Sequence, residues 1–540
     1  MERKREVFMK TMIKKLWDGM EGLNGLILIL YTVFIFTTAA IKSDNFSVLY
    51  TIVSCLGAVV FSVMFCPIIL RGLSKIEIQD ETLYLKSNKH AVWISGLIFF
   101  AVSFGVFLLY YIAFYPGGFS SDSIDQYEQA LRGNYNDWHP VIHTLIAFKL
   151  PLSLSRGWVG SIILFQIICF SCVLAYGLTV LLRYTNLRFT ILSMCFVLLN
   201  PQTGYLAVYA FKDVSFAVTS LLVVTYALQI YATKGAWLQK PVNMVLLVVM
   251  LVLTMLLRHN AVLFVIPLIL GILLCLNPKR GVVFCLGIIL LFGLVKGPLY
   301  SALHVEKPDQ RQVEILGLPM TVIGAAVTYS PELVDEETLE FAYKVSPKTV
   351  WEERYQYGSY NPVKWDRQTD NNVIEEYGLL KVLNMLFRTC MSAKTDALKA
   401  LVCLTEPVYT VSETQLAVSI PGITVNEYGI ASTGNSALQR ILGEYSAFVS
   451  RNIGILFNLG FVHLLVIASV LAKFDLREWR YWKKLIFILS LFAYNYGTAL
   501  LLTGFEDTKR FFYYSFLILP MLMTFIFVKE FERSTDMTVR

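Results

Sequence analysis

The chain has 540 residues, of which 56% are hydrophobic and 16% charged, with a mean hydropathy of +0.59. A soluble domain of that composition would expose an apolar surface, so the sequence reads as an all-α polytopic membrane protein, with the lipid bilayer as a partner. The net charge of +7 is then mainly a topology signal with some attraction to anionic lipid, and no argument for nucleic acid.

Crossing a hydrocarbon core of about 30 Å takes roughly 20 apolar residues per helix. Such runs predict about twelve spans, near 23–41, 47–70, 92–114, 158–182, 189–208, 214–232, 242–257, 260–277, 281–296, 452–472, 485–503 and 511–528. The first follows a charged segment and shows no small-residue cleavage pattern, so it is expected to be a retained helix. Lys and Arg concentrate in alternate loops, from Arg3, Lys4 and Arg5 through Arg71, Arg183, Lys279 and Arg280 to Lys483, Lys484 and Lys529. The positive-inside rule therefore predicts a multi-pass plasma-membrane protein with both termini cytoplasmic. Seven of nine cysteines fall in expected spans as apolar fillers, while Cys390 and Cys403 lie outside them, close enough in sequence to pair.

The expected organisation is a basic tail (1–22), two spans and a cytoplasmic loop (23–91), a membrane core (92–296) whose first external loop is 115–157, an extracytoplasmic, mainly helical domain (297–450), three closing spans (451–528) and a short tail (529–540). In the polar segment, 331–345 and 373–405 read as helices, the first opened by Ser330 and Pro331 with acids in its first turn. Between them, WEERYQYGSYNPVKWD suits either a sugar or isoprenoid face or packing onto the membrane surface.

The candidate chemistry lies in YPGGFSSDSIDQYEQALRGNYNDWHP, residues 115–140, where a long apolar run gives way to acids, amides and a His. An interfacial carboxylate reaches lipid headgroups without being ionised inside hydrocarbon. Asp122 is the candidate working residue, with helix capping as the alternative at that position. Asp125 is a partner acid or metal ligand, and His139 either binds phosphate or satisfies a loop carbonyl. Other charges sit in pairs at span ends: Lys212 with Asp213, Arg258 with His259, and Lys509 with Arg510 beside Glu506 and Asp507. Converging on one face, they would form a site for one or two phosphates opposite a carboxylate. Each also has a plainer role, as an ion pair at 212–213 and as snorkelling cations at 258 and 510.

At these residues the chain resembles a family. The acid-bearing first loop, the Lys212–Asp213 pair between short spans, the later Arg258, and a closing D-x-x-R-F-F-Y-Y-x-F-x-x-x-P stretch are similar to the GT-C superfamily of integral-membrane glycosyltransferases. YPG, DS and WHP in the first loop resemble uncharacterised bacterial members more closely still. The resemblance runs over about 92–528, with the first two spans as an addition. It implies a polyprenyl-phosphate-sugar donor, an acceptor on the outer face (cell-envelope glycan, lipid or protein) and inversion at the anomeric carbon. Asp122 would be the base for the acceptor hydroxyl, and Lys212, Arg258 and Arg510 would hold the departing phosphate. Many relatives place two adjacent acids in this loop, whereas Asp122 and Asp125 are three apart, which leaves a divalent metal cofactor on this pair open.

A flippase or transporter of lipid-linked glycan precursors is the reading from another class. It would place ionisable groups along a path through the bundle, and usually shows repeated halves, and neither pattern is evident here. A polymerase or ligase acting on polyprenyl diphosphate oligosaccharides shares the charged face and differs in its donor.

Overall fold

A computed structural model describes residues 23–42, 48–78, 89–307, 316–411, 418–475, 478–505 and 508–528. The expected basic tails, 1–22 and 529–540, and the acids Glu506 and Asp507 lie outside the described residues. The described chain is helical throughout, and its only β-type pairings are isolated bridges. Among the described residues, seven helical runs are long and apolar enough to cross a membrane. This is an all-α membrane protein.

In chain order the helices that matter here are α1 (Leu23–Lys42), α2 (Val48–Ser74), α3 (Lys89–Ala113), α4 (Ser121–Arg132), α5 (Val141–Leu154), α6 (Gly160–Tyr184), α7 (Leu187–Leu198), α8 (Pro201–Ala207) and α9 (Lys212–Ala232). They are followed by α10 (Pro241–Leu257), α11 (Val262–Leu273), α12 (Pro278–Ala302), α13 (Gly317–Tyr329), α14 (Glu336–Val345), α15 (Leu379–Ser392) and α16 (Lys394–Thr405). The last four are α17 (Ser436–Ile453), α18 (Leu459–Lys473), α19 (Trp479–Ala499) and α20 (Tyr514–Phe527).

Helix α9 is apolar on every side beyond its first two residues and is buried along its length, against α6, α10 and α20. A helix without a polar face belongs in the middle of a bundle. By contrast α2, α3 and α12 keep most of their apolar side chains on the outside, such as Leu97, Ile98, Ile289 and Leu290, as lipid-facing helices do.

Several expected elements are corrected. The span read at 189–208 is two helices, because Asn200 caps α8 by accepting from the Gln202 N–H at 3.0 Å and Pro201 opens it. The helix read at 331–345 begins at Glu336, where the Asp335 side chain accepts from the Thr338 N–H at 3.1 Å; Pro331–Leu333 is only a 3-10 turn. The stretch 373–405 breaks at Gly378, whose φ of 76° suits glycine, and again at Ala393. The span placed at 452–472 starts at Leu459 and is preceded by the amphipathic α17. Cys390 is exposed and Cys403 buried, and no disulfide joins them.

Residues between Leu316 and Ala400 close a core of their own around Trp351, Phe341 and Tyr360, while Leu404, Val408 and Tyr409 already belong to the main core. The polar segment is tied to the bundle where Lys42, at the end of α1, forms an ion pair with Glu406.

The loop after α3 is wedged between two passing segments. Gly118 N–H donates to Val208 O (2.8 Å) and its carbonyl accepts from Ala210 N–H (2.9 Å), while Phe119 N–H donates to Gly422 O (2.8 Å). At Gly117, φ is +122° and a Cβ would sit 2.4 Å from Ile163 Cγ1, so glycine is required twice over. At Gly118 a Cβ would meet the Tyr209 ring at 2.8 Å. This clamp fixes where α4 begins, and therefore where Asp122 stands.

Candidate functional site

The Ser120-Ser121-Asp122-Ser123 run divides its labour. Ser120 is the N-cap of α4, accepting from the Ser123 N–H at 3.4 Å, and the Ser123 hydroxyl donates to Ala210 O at 2.8 Å. The capping role considered for Asp122 is thus filled by Ser120. Asp122 sits one residue into the helix, where its carboxylate meets the positive end of the helix dipole. Its side chain is 32% exposed, open to solvent on one side.

Two cations from distant parts of the chain face that carboxylate. Lys212 Nζ, at the start of α9, lies 3.8 Å from Asp122 Oδ2, and Arg510 Nη1 lies 3.5 Å from the same oxygen. Burial acts to raise the Asp122 pKa, but these cations outweigh it and hold the carboxyl below its ordinary value. Asp122 is therefore ionised at neutral pH. Arg510 comes from the short helix Thr508–Phe511, and its guanidinium lies 4.8 Å from the Phe211 ring centroid and 5.0 Å from that of Phe511. An aromatic shelf of this kind stabilises a guanidinium while leaving its edge for an anion.

His139 belongs to this group. Its Nδ1 accepts from Lys212 Nζ at 2.9 Å, and its Nε2 lies 3.7 Å from Asp125 Oδ2. Burial and the adjacent Lys212 push the imidazole down to about 3, so it is neutral at pH 7 and its approach to Asp125 is not an ion pair. With Nδ1 accepting, the proton sits on Nε2 and points at Asp125. Asp125 also accepts from Gln129 Nε2 at 2.8 Å, and burial raises its pKa. Asp125 is a support for His139 at the margin of the centre.

Sequence adjacency misleads at 212–213. Lys212 turns to Asp122 and His139, whereas Asp213, buried on the next face of α9, forms its ion pair with Arg258 Nη1 and lies 3.9 Å from Arg510 Nε. Lys212 and Asp213, for which an ion pair was one alternative, face different partners. Arg258 caps the C-terminus of α10 in extended conformation, donates through Nε to Asn260 Oδ1 (2.8 Å), and stands 4.0 Å over the Phe511 ring. It braces Asp213 and Arg510 from behind. His259 points elsewhere: its Nε2 is 3.2 Å from the Asp137 carbonyl, outside the cluster. The Lys509 side chain lies outside the described residues.

Asp122 and Asp125 were candidates for a divalent metal. Among the described residues no group of three His, Cys, Asp or Glu side chains is placed to hold one. Lys212 and Arg510 already occupy the approach to Asp122, a poor setting for an ion that wants an oxygen cage. Among the described residues, Asp122 and Asp125 do not fit that role.

A second constellation escaped the sequence reading. Asp137 receives Lys296 Nζ at Oδ2 (2.8 Å) and the Tyr300 hydroxyl at Oδ1 (3.1 Å), and Lys149 donates to the Tyr135 hydroxyl at 2.6 Å. Both lysines lie in π-turns, Thr144–Lys149 within α5 and Val295–Leu299 within α12. Lys296 read as the last residue of an apolar span, and nothing in its neighbours signals a π-turn; Pro298 was the one visible cue.

Compared with protein families, with curated proteins and with solved structures, the chain matches none.

Proposed function

We propose that the protein is a membrane glycosyltransferase of the GT-C type, with about twelve spans and both termini cytoplasmic, working on the outer face of a plasma membrane. It would transfer a sugar from a polyprenyl-phosphate donor to an acceptor hydroxyl with inversion. The observation that carries the reading is one ionised carboxylate, Asp122, facing Lys212 at 3.8 Å and Arg510 at 3.5 Å at one end of an apolar bundle.

Glycosyl transfer from a phosphate needs a base for the incoming hydroxyl and positive charge for the departing phosphate, with no acid required at a leaving group that is already a weak base. Asp122 supplies the first. Lys212 and Arg510 supply the second, helped by the amide groups that open α9 beside them. The acceptor oxygen attacks the anomeric carbon as the bond to the phosphate oxygen breaks. The acceptor proton passes to Asp122, and the phosphate leaves bearing the electron pair.

The same cations that lower the pKa of Asp122 in the free protein would turn to the phosphate once donor binds. That relieves the carboxylate and raises its basicity when a base is needed. Arg258 and Asp213 hold Arg510 in register, and neutral His139 positions Lys212 without competing for the anion.

The test is mass spectrometry of surface glycans and lipid-linked intermediates in cells carrying the intact gene, a deletion, or Asp122→Asn. Loss of one sugar substituent in both altered strains, with accumulation of its polyprenyl-phosphate donor, supports the reading. Unchanged decoration with trapped or unpolymerised lipid-linked oligosaccharide would replace it with a flippase or polymerase.

A further inference from the structure

A cleft of about 750 Å³ opens at the end of α12, against the loop that carries His139. Its walls include Asp137, Lys296, Tyr300, Ser301, His304 and Glu306. We propose that this cleft binds the acceptor, and that the acceptor moiety it takes is a neutral, hydroxyl-rich carbohydrate; the assignment as acceptor rests on the transferase reading above, the binding chemistry does not.

Charge separates the two sites. Among the described residues, Lys212 and Arg510 converge on one oxygen of Asp122, while Arg258 is matched by Asp213 and Asp125 stands beside His139; two cations on one carboxylate favour an anion. Among the described residues, the cleft is lined by two ammonium groups, Lys296 and Lys307, and two carboxylates, Asp137 and Glu306, together with His304. A phosphate entering there would meet as much repulsion as attraction, whereas a diol matches a carboxylate beside an ammonium, donating to one and accepting from the other. Capacity exists: a carboxylate offers about four acceptor sites and an ammonium three donors. Asp137 uses its oxygens on Lys296 and Tyr300, and Lys296 donates to Asp137 and, at 3.1 Å, to the Tyr300 hydroxyl. Both side chains reach the cleft, at 28% exposure for Lys296 and 12% for Asp137.

Backbone geometry points the same way. A π-turn inside an α-helix is rare and is found frequently at functional positions. Here Val295–Leu299 sits at the cleft and aims Lys296 at Asp137, and Thr144–Lys149 aims Lys149 at Tyr135, so the loop 135–137 is gripped from both sides. The loop then runs directly into the Asp122 centre. Asn136 N–H donates to Gln129 Oε1, whose amide holds Asp125, and His139 follows two residues after Asp137. The cleft and the Asp122 centre are thus tied to one short loop, 135–139.

The full-length protein in lipid nanodiscs would be examined by saturation-transfer NMR with the methyl glycosides of glucose, galactose, mannose and N-acetylglucosamine. Saturation of at least one glycoside is expected, weakened at least fivefold by Lys296→Met and by Ser301→Trp. Ser301 is exposed on the rim, so its replacement fills the cleft without entering the Asp137 network, and it decides the matter if Lys296→Met fails to fold. Silence from all four glycosides overturns the proposal, as does a signal that survives in Ser301→Trp. Displacement of the glycoside by inorganic phosphate, or by phosphatidylglycerol added to the nanodisc, also overturns it, by making the cleft an anion or headgroup site. If glycosides bind as expected while Asp122→Asn keeps full turnover, the transferase reading fails and the binding site stands.

Discussion

Replacing Asp213 by Asn tests the brace behind the candidate site without touching Asp122. Asp213 is 2% exposed and Arg258 6%, and the two form an ion pair at the head of α9, with Arg510 at 3.9 Å on the other side of the carboxylate. The substitution keeps shape and removes charge. It leaves the Arg258 guanidinium beside Asn260 and the Phe511 and Tyr494 rings. A buried partner left without its counter-ion destabilises by about 3–5 kcal/mol. Part of that is recovered when both members go, so the double variant Asp213→Asn/Arg258→Met should be less destabilised than the sum of the singles, by about 2–3 kcal/mol. Denaturant unfolding of the purified protein in mixed micelles, followed by tryptophan fluorescence, gives all four corners of the cycle. An Asp213→Asn cost under about 1 kcal/mol, or strictly additive singles, would refute the claim that this pair is buried and mutually dependent.

The transferase reading makes further demands. Asp122→Asn should lower turnover by about 10²- to 10⁴-fold, the usual contribution of a positioned general base, while donor binding stays the same or tightens because an anion beside Lys212 and Arg510 is gone; full turnover would reject it. Arg510→Ala should weaken donor binding by about 1.5–3 kcal/mol, the scale of a hydrogen bond to a charged group, read as a rise in donor KM. Because Asp122 is held below its ordinary pKa, the acidic limb of kcat/KM for this base should fall below the usual carboxylate range and shift upward in Lys212→Met. His139 is pushed down to about 3 from 6.5, so between those values the unfolded chain binds a proton that the folded protein refuses. Stability should therefore fall as pH drops from about 6.5, by up to about 1.4 kcal/mol per pH unit from this group, and His139→Gln should flatten that slope. Gly117→Ala, placed at φ +122° against Ile163, should cost about 1–3 kcal/mol from backbone strain alone, measured by the same unfolding assay.

The sequence was informative wherever one physical effect dominates. Hydropathy located α9, α10, α12 and α20 to within a few residues, because burial in lipid or bundle leaves little else for a long apolar run to do. Helix ends were less readable. Asn200 and Pro201 are a capping pair that hydropathy ignores, and Asp335 sits only four residues beyond the Pro331 chosen as a start. At the candidate site, Lys212 and Arg510 do meet Asp122, since charges at the edge of a membrane have few favourable places to go, and His139 meets Lys212. Their pairing was not legible. Neighbours on a helix diverge by about 100°, which sends Lys212 and Asp213 to different partners, and His259 turns away to Asp137. The Asp137–Lys296–Tyr300 group depends on a π-turn, a backbone detail that no residue spacing encodes.

Helix α9 carries Lys212 and Asp213, yet Arg510, which joins Asp122 and lies beside Asp213, precedes α20, which packs along α9 from the far end of the sequence, and 388 positions separate Arg510 from Asp122. The order of synthesis then matters. For most of translation, a carboxylate destined for the interior waits in a half-built bundle with Arg258 alone. Only when the last helix enters does the charge cluster close and Asp122 gain its second cation. A ribosome stalled before position 510 would leave a protein that is inserted and largely folded but electrostatically unfinished. In such a protein, the state of this cluster would report that membrane assembly had not reached its final step.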